Sequence, residues 1–387
     1  MSRAGALALL LSLAVVADAA PIEVKSESRA IQLRTDELLI HSDRIGRDFL
    51  VEVTLLDGVQ PGRTYAAVYA VDGGLGVAGP ASRLLVAGHR TAPYFTVSIG
   101  YPNSLGRHLG PRNTDLAHEK VTIDSREIGG GGAAFEAFIR EDLRPYLEKR
   151  YPLDPARAVL LGHSAGGMFA AHVLVRNPQA FAGYVIGGLP FVFKEQKDMF
   201  LAERAKVTAA RAHGQRVFIG LTPLDALNTR SDQFAALLSG VDSKLNVRQE
   251  VFADETHNSE YLQLMARGLP FVLPTETAQM TAARIEPALL GRYEGSYRLD
   301  AERLLEISRR GNQLFGRINT LKEGYWDQSG MFPLEAASEA QFFSRPVDVI
   351  LTFAPPVNGH APNVIAQISD REVTALLSSP DPRRPRP

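Results

Sequence analysis

Apolar runs of strand length alternate with amphipathic segments over the first two thirds of the chain. The run 94–100 contains only apolar or small residues, which is typical of a strand buried on both faces. The segment 133–150 repeats apolar residues at helical spacing and predicts an amphipathic helix. This alternation predicts an α/β fold, with a mostly parallel central sheet and helices on both faces. The predicted strands are 30–39, 49–56, 65–71, 94–100, 158–161, 181–186, 216–221 and 247–252, and further helices are predicted at 168–175, 230–239 and 259–267.

Two connections stand out in this part of the chain. The turn 43–47 between the first two predicted strands indicates a hairpin. The polar, Gly- and Arg-rich stretch 101–128 has no clear periodicity and predicts a long loop. Loops of this length in compact domains tend to be functional.

The pattern changes after about residue 289, where short aromatic-rich segments replace the alternation. Turn signals at 310–312 and 358–359 separate these segments, which predicts a small antiparallel β-domain. We therefore expect a main domain over 20–278, a β-domain over 279–377 and a Pro- and Arg-rich disordered tail over 378–387. The predicted strands of the β-domain are 293–299, 304–308, 313–318, 341–344, 347–353 and 363–368.

The first 19 residues have the pattern of a cleavable signal peptide. Arg3 precedes an apolar stretch over 4–16, and a small-x-small site follows at 17–19. The stretch is too short for a transmembrane helix, and no later run approaches the roughly 20 residues needed to cross a bilayer. The sequence thus predicts a periplasmic or secreted protein without stable membrane insertion.

Composition narrows the possible functions. Hydrophobic content of 45% and charged content of 22% are ordinary for a globular protein. The 42 basic and 43 acidic residues nearly balance, which gives no electrostatic reason to expect nucleic-acid binding. The chain has no cysteine, which excludes disulfides, thiolate catalysis and cysteine-based zinc sites.

The most informative motif is Gly162-x-Ser164-x-Gly166. An apolar run precedes it and a helical pattern follows it, as in a nucleophile elbow, where a tight strand-to-helix turn presents a serine Oγ. A serine hydroxyl is a poor nucleophile unless a base and an oxyanion site lie nearby. Ser164 is therefore the candidate nucleophile of an acyl-transfer reaction.

The base and the acid should follow Ser164 along the chain, in the order serine, acid, histidine. His257 lies in a loop just beyond the last predicted strand of the main domain and is the candidate base. Asp225 follows the strand 216–221 and is the candidate acid, which would orient the imidazole. Asp232, Asp254 and Glu255 compete with Asp225 for that role.

An oxyanion site needs two aimed backbone donors. The N–H of Ala165, the residue after the nucleophile, is one candidate. The other should come from Gly73 or Gly74, which follow the third predicted strand, although these two residues are equally compatible with a plain turn.

Further along, the chain resembles the putative-esterase branch of the α/β-hydrolases, which includes siderophore esterases, feruloyl esterases and acyltransferases. The resemblance implies an α/β-hydrolase fold, Ser164 as nucleophile, His257 as base and Asp225 as acid, where the family usually has glutamate. It also identifies Arg112 and Asp115 with a family pair that borders the site. The matching segments, in family order across roughly 28–273, are 68–73, 99–102, 112–116, 135–139, 143–148, 162–167 and 254–257.

One segment departs from the family pattern. Siderophore-esterase relatives carry a Ser-rich, Trp-containing stretch where this chain has the apolar segment 187–193. Phe191 in this segment is a candidate substrate contact, and the change favours an apolar or aromatic acyl group. The C-terminal segment resembles the small lipocalin-like domain that follows some serine hydrolases, which implies a cap, a ligand site or a packing role.

Together these observations predict an exported serine esterase acting on a small-molecule ester. No metal and no organic cofactor are expected. An acyltransferase with an alcohol acceptor and a non-catalytic ligand-binding protein on the same scaffold remain alternatives. The sequence leaves the natural substrate and the oligomeric state open.

Overall fold

Eight strands of the N-terminal part pair into one sheet in the order β1-β2-β4-β3-β7-β8-β9-β10. The β1–β2 and β2–β4 pairs are antiparallel, and all the others are parallel. The mostly parallel sheet and its helices form the α/β-hydrolase arrangement that the sequence predicts. The strands are β1 (Thr35–Ser42), β2 (Arg47–Thr54), β3 (Tyr65–Val71), β4 (Tyr94–Gly100), β7 (Leu153–His163), β8 (Gly183–Gly187), β9 (Arg216–Leu221) and β10 (Asn246–Val251), and a separate hairpin contains β5 (Lys120–Ile123) and β6 (Arg126–Gly129).

This computed structural model describes most of the chain. Predictions for the signal peptide, for Phe191, for most of the predicted helix 230–239 and for residues 381–387 lie outside the described residues. The described ranges are 34–56, 59–72, 76–102, 109–123, 126–189, 214–224, 245–320, 330–368 and 371–380, together with Phe234 and Leu238.

Strand predictions were most accurate for the central strands. β3, β4 and β9 coincide with the predicted runs, and the seven residues of β3 are all buried. Neighbouring residues of a strand point to opposite faces, and each face of the sheet carries its own apolar cluster. Tyr69 packs in the cluster that contains Phe169, whereas Val68 packs in the one that contains Phe218.

Helices cover both faces. The predicted helix 133–150 is present as two α-helical parts joined by a π-helical turn over Phe138–Leu143, and the predicted helix 259–267 contains a second such turn over Leu264–Gly268. Pro145 and Pro270 follow these turns; proline lacks an N–H and clashes with the carbonyl four residues back, and a wider turn avoids both problems. The α-helices are α1 (Ala78–Ala87), α2 (Leu109–Asp115), α3 (Gly132–Ala137), α4 (Arg144–Arg150), α5 (Ala165–Arg176), α6 (Glu260–Gln263), α7 (Leu269–Val272) and α8 (Glu276–Gln279).

The prediction of one long loop over 101–128 was wrong. This stretch contains helix α2 and the β5–β6 hairpin. Both elements are short and contribute few apolar residues, so they leave no periodic signal in the sequence.

The C-terminal part is a closed, antiparallel barrel of eight strands. Six strands match predicted segments, whereas β14 and β18 were missed. β18 extends to Ser379, two residues into the segment predicted to be disordered. The strands are β11 (Gly295–Arg298), β12 (Arg303–Arg310), β13 (Gln313–Thr320), β14 (Phe332–Ala336), β15 (Gln341–Ser344), β16 (Val349–Phe353), β17 (Asn363–Ile368) and β18 (Arg371–Ser379).

Aromatic side chains fill the barrel interior. The ring centroids of Tyr293 and Phe353 lie 4.8 Å apart, and those of Phe342 and Phe353 lie 5.8 Å apart. The Tyr297 hydroxyl donates to the Tyr293 carbonyl at 3.0 Å, so its polar end is satisfied inside the core. An eight-stranded barrel is just wide enough for its own side chains to fill it.

The segment between the two parts is hydrogen-bonded to the barrel. Thr277 donates to Asp348 Oδ1 at 2.7 Å, and the Ala283 N–H donates to the Ala336 carbonyl at 2.7 Å. In the portion of the chain that the structure describes, no helix combines the length and apolarity required to cross a membrane.

Candidate active site

The carboxyl ends of the central strands bring the predicted site residues together. Val71 at the end of β3 pairs with Gly162 of β7, and Gly162 pairs in turn with Ile186 of β8. Asp72 and Ser164 follow these strand ends directly. In parallel sheets, ligands bind in the crevice outside this edge.

Ser164 occupies a strained turn between β7 and α5. Its φ of 58° and ψ of −126° are rarely adopted by a residue with a side chain. The turn closes only because its neighbours lack side chains: a Cβ on Gly162 would lie 2.0 Å from the Gly166 carbonyl oxygen, and one on Gly166 would lie 2.5 Å from that of Val71. The motif has glycine at these two positions because a side chain there would collide with the backbone, as expected for a nucleophile elbow.

His257 reaches Ser164 from the turn beyond β10. Its Nε2 lies 3.0 Å from Ser164 Oγ, within hydrogen-bond distance. The Thr222 hydroxyl donates to the Glu255 carbonyl, which ties the loop after β9 to the loop that carries His257. The structure therefore brings the predicted nucleophile and the predicted base into the geometry required for proton transfer.

The triad acid stays a prediction. Asp225 and its competitor Asp232 lie outside the described residues. Asp254 is exposed on the loop before His257, and the Glu255 carboxylate accepts a hydrogen bond from Gln263 at 3.1 Å.

Of the predicted oxyanion donors, the structure describes Ala165. This residue begins helix α5, where the first-turn N–H groups have no partner within the helix and can bind an anion. Gly73 and Gly74 lie outside the described residues.

Arg112 borders the reacting oxygen but is already engaged with a carboxylate. Its Nη2 lies 3.4 Å from Ser164 Oγ, and its Nε and Nη2 each donate to Asp72 at 2.5 Å. Burial alone would lower the pKa of Arg112, and the Asp72 carboxylate more than offsets this and raises it. Asp72 also accepts from the Gly166 N–H at 3.3 Å, which links the arginine to the start of α5.

Sequence reasoning treated Asp72 only as part of a turn. The sequence feature that could have identified Asp72 is its place directly after a fully buried strand and before two glycines. Its φ of 63° shows that the tight backbone begins at Asp72 itself.

Asp115 lies away from the Ser164 hydroxyl, in a buried polar cluster. Its carboxylate lies 3.3 Å from Arg47 and accepts from the Tyr101 hydroxyl at 3.2 Å. Burial raises the pKa of Asp115, while Arg47 and Tyr101 oppose this rise. Phe191, the third predicted substrate contact, lies outside the described residues.

A histidine–carboxylate pair lies beside His257. His163 Nε2 is 3.1 Å from Glu260 Oε1, and the His163 and His257 ring centroids are 4.7 Å apart. Sequence analysis assigned no role to either residue. The sequence features that could have identified them are the position of His163 next to Ser164 and that of Glu260 three residues after His257.

His163, His257 and Glu260 are also the residue types that bind metal ions. Their candidate ligand atoms all lie within 4.8 Å of one another. Ligands of one tetrahedral zinc ion stand roughly 3.3 Å apart, since zinc–nitrogen bonds measure about 2.0 Å. The candidate ligand atoms of His163, His257 and Glu260 are spread more widely than the ligands of one zinc ion. His257 is also engaged with Ser164. The arrangement therefore fits proton transfer better than metal binding.

Comparisons with known proteins place the chain in a family. A family model described as putative esterase matches residues 42–261. The chain is 24% identical over 274 residues to the ferri-bacillibactin esterase BesA of Bacillus subtilis (strain 168), a match that covers 65% of this chain and 90% of the relative. It is 31% identical over 159 residues to the siderophore triacetylfusarinine C esterase of Aspergillus fumigatus, covering 39% of this chain and 54% of the relative.

Solved structures share the fold of the N-terminal part. The BES protein from Bacillus cereus superposes with a TM-score of 0.58 at 22% identity, covering 65% of this chain and 99% of the other. The siderophore hydrolase EstB from Aspergillus nidulans gives a TM-score of 0.54 at 21% identity, covering 64% and 98%.

Proposed function

Because this chain belongs to the putative esterase family and is a carboxylic ester hydrolase, we propose that it is a serine esterase using Ser164, His257 and Asp225. The observation that carries the proposal is the 3.0 Å contact between His257 Nε2 and Ser164 Oγ at a strained elbow. A nucleophile within hydrogen-bond reach of its base is the signature of covalent acyl transfer.

In the first half of the reaction, Ser164 Oγ attacks the ester carbonyl carbon while its proton passes to His257 Nε2. The carbonyl oxygen becomes an oxyanion, which the Ala165 N–H and a donor from Gly73 or Gly74 stabilise. The intermediate then collapses: the carbon–oxygen bond to the alcohol breaks, and the alcohol oxygen takes the proton from His257. The product is an acyl-enzyme on Ser164.

In the second half, water replaces the alcohol. His257 Nε2 accepts a proton from the water as its oxygen attacks the acyl carbon. The bond to Ser164 Oγ breaks, the serine regains its proton from His257, and the carboxylic acid leaves. Asp225 would orient the imidazole and stabilise its cation in both halves.

Arg112 is proposed to contact the substrate beside the reacting carbonyl. Its guanidinium lies 3.4 Å from Ser164 Oγ and can donate to an oxygen of the bound ester. Because Asp72 balances its charge, the site offers directed hydrogen bonds rather than a free positive charge, which suits a neutral ester.

The substrate class is proposed from the relatives and from the apolar segment 187–193. Relatives named as siderophore esterases make a siderophore ester the first natural class to test. The apolar segment favours acyl groups with apolar or aromatic character. The signal-peptide pattern of residues 1–19 supports an exported enzyme, in a periplasm or outside the cell.

Hydrolysis assays test the proposal. Mature protein beginning at Ala20 is assayed with p-nitrophenyl acetate, ferri-bacillibactin and triacetylfusarinine C, beside Ser164→Ala and the control Ser338→Ala, an exposed serine of the barrel. We expect Ser164→Ala to lose at least about 10³-fold in kcat, because the nucleophile is gone. Ser338→Ala should match wild type.

Equal turnover in wild type and Ser164→Ala would contradict the proposal. Adding alcohol acceptors to the same assay and analysing the products separates hydrolysis from acyl transfer. Free acid as the dominant product supports the esterase, whereas a new ester as the dominant product would move the assignment to an acyltransferase.

A further inference from the structure

A fully buried carboxylate lies three residues beyond the catalytic histidine. Glu260, in the first turn of α6, is 0% exposed. Its Oε1 lies 3.1 Å from His163 Nε2, and its Oε2 has no hydrogen-bond partner among the residues that the structure describes. Burying a carboxylate with one oxygen unpaired is costly, and such groups concentrate at functional sites.

His163 contacts both Glu260 and His257. It ends β7, directly before Ser164, and its ring centroid lies 4.7 Å from that of His257, with the rings tilted by 43°. Tyr261 packs edge-on against His163, with the two ring centroids 5.6 Å apart. The His163 ring therefore has a defined position from which it supports the base.

The backbone around the pair leaves no room for a side chain. Gly188, just after β8, has a φ of 58°, and a Cβ at this position would lie 2.7 Å from both Glu260 Oε1 and His163 Nε2. Gly188 has no Cβ, and this allows the loop that covers the pair to lie so close to both side chains.

Among the described residues, the other acidic side chains near His257 are engaged or exposed. The Asp72 charge is balanced by Arg112, and the Glu255 carboxylate is hydrogen-bonded to Gln263. Asp254 is exposed to water, which screens its charge. Among the described residues on this side of the site, Glu260 is the buried carboxylate whose charge no arginine or lysine balances.

We propose that Glu260 is a positioning residue for the general base, acting through His163. Its hydrogen bond fixes the His163 ring, which supports the His257 ring in line with Ser164 Oγ. Its negative charge also stabilises the imidazolium that forms on His257 as the serine proton arrives, because charges interact strongly where water is excluded. This inference rests on the proposed serine-esterase function and adds a second acid to it.

Glu260→Gln tests the charge while keeping the shape of the side chain. With p-nitrophenyl acetate we expect kcat to fall about ten-fold while KM stays within about two-fold, the split that marks a loss confined to the transition state. The melting temperature should change little, because glutamine still accepts the hydrogen bond from His163. Glu260→Asp, which retains the charge, should recover part of the kcat.

Two controls test whether the effect of Glu260→Gln is specific to the His163–Glu260 pair. Glu136→Gln alters a partly buried glutamate that lies 3.7 Å from the buried His118 and 3.3 Å from Arg140; it should leave kcat unchanged. The double variant His163→Gln/Glu260→Gln should be no slower than the slower single variant, because the two residues act as one unit.

Glu260→Gln with wild-type kcat, or with a loss confined to KM or to melting temperature, would overturn the inference. Ser164→Ala measured in the same assay separates this outcome from failure of the proposed function. If Ser164→Ala is inactive and Glu260→Gln is fully active, the serine-esterase proposal stands and the role of Glu260 falls.

Discussion

At the scale of single residues, the site depends on backbone conformations that residues other than glycine normally avoid. Ser164 and Asp72 both have positive φ, at 58° and 63°, on adjacent strand ends. Each such residue costs of order 1–3 kcal/mol and persists only where its surroundings enforce it. Here the Gly166 N–H, which donates to Asp72, joins the two strained positions.

The acid of the triad is tested at this scale. Asp225→Asn should lower kcat by about 10²–10⁴-fold, because an asparagine cannot stabilise the histidine cation. Asp254→Asn is the matched control, since Asp254 is exposed on the loop before His257 and should keep wild-type kcat. Steady-state kinetics of the two variants decides between them: a loss in Asp254→Asn with none in Asp225→Asn would reverse the assignment.

Residues identified by a local motif were predicted, whereas residues joined only by folding were not. Ser164 followed from its glycines, and His257 from its place after a strand. Glu260 lies 97 positions from its partner His163, and Arg112 lies 40 from Asp72, so no sequence window contains either pair. Their proximity arises from the strand order, which periodicity does not specify.

At the scale of elements, helix α5 connects the nucleophile to the buried interior. His172 on this helix stacks on His118, with ring centroids 4.9 Å apart. Burial, together with the neighbouring His118 and Arg176, lowers the pKa of His172 to about 3. The folded state therefore holds His172 neutral, whereas the unfolded chain binds a proton there below about pH 6.5.

This difference predicts acid sensitivity. As the pH falls from about 6.5 towards 3, the unfolded state binds the extra proton, so the free energy of unfolding drops, by roughly 2–3 kcal/mol at pH 4.5 from His172 alone. His172→Gln does not titrate and should lose correspondingly less stability on acidification. Urea unfolding of both proteins at pH 7 and pH 4.5 measures this; equal losses would show that His172 does not contribute.

Element prediction worked where burial imposes a strong pattern. Strands β3, β4 and β9 consist mostly of apolar or small residues and were predicted with their observed bounds. The π-helical turns before Pro145 and Pro270 were not, because apolar spacing does not reveal a wider turn. β18 was missed because most of its residues are exposed or partly buried and do not alternate regularly, so it leaves no strand pattern in the sequence.

At the scale of the whole molecule, the proposed chemistry belongs to the N-terminal part, and the barrel is a packed body joined to it through α8 and the following segment. Arg345 donates to the Met280 carbonyl at 2.8 Å, which adds to the Thr277–Asp348 and Ala283–Ala336 hydrogen bonds. Because Tyr293, Phe342 and Phe353 fill the barrel core, the structure favours a packing role over an internal ligand site.

Covalent labelling tests most directly whether Ser164 is the nucleophile and His257 its base. Mature protein is treated with diisopropyl fluorophosphate and analysed by peptide mass spectrometry; serine oxygen displaces fluoride and leaves a stable phosphoryl ester. We expect one adduct, on the peptide that contains Ser164, formed much more slowly in His257→Gln and absent in Ser164→Ala. An adduct on another residue, or equal labelling rates in wild type and His257→Gln, would contradict this assignment.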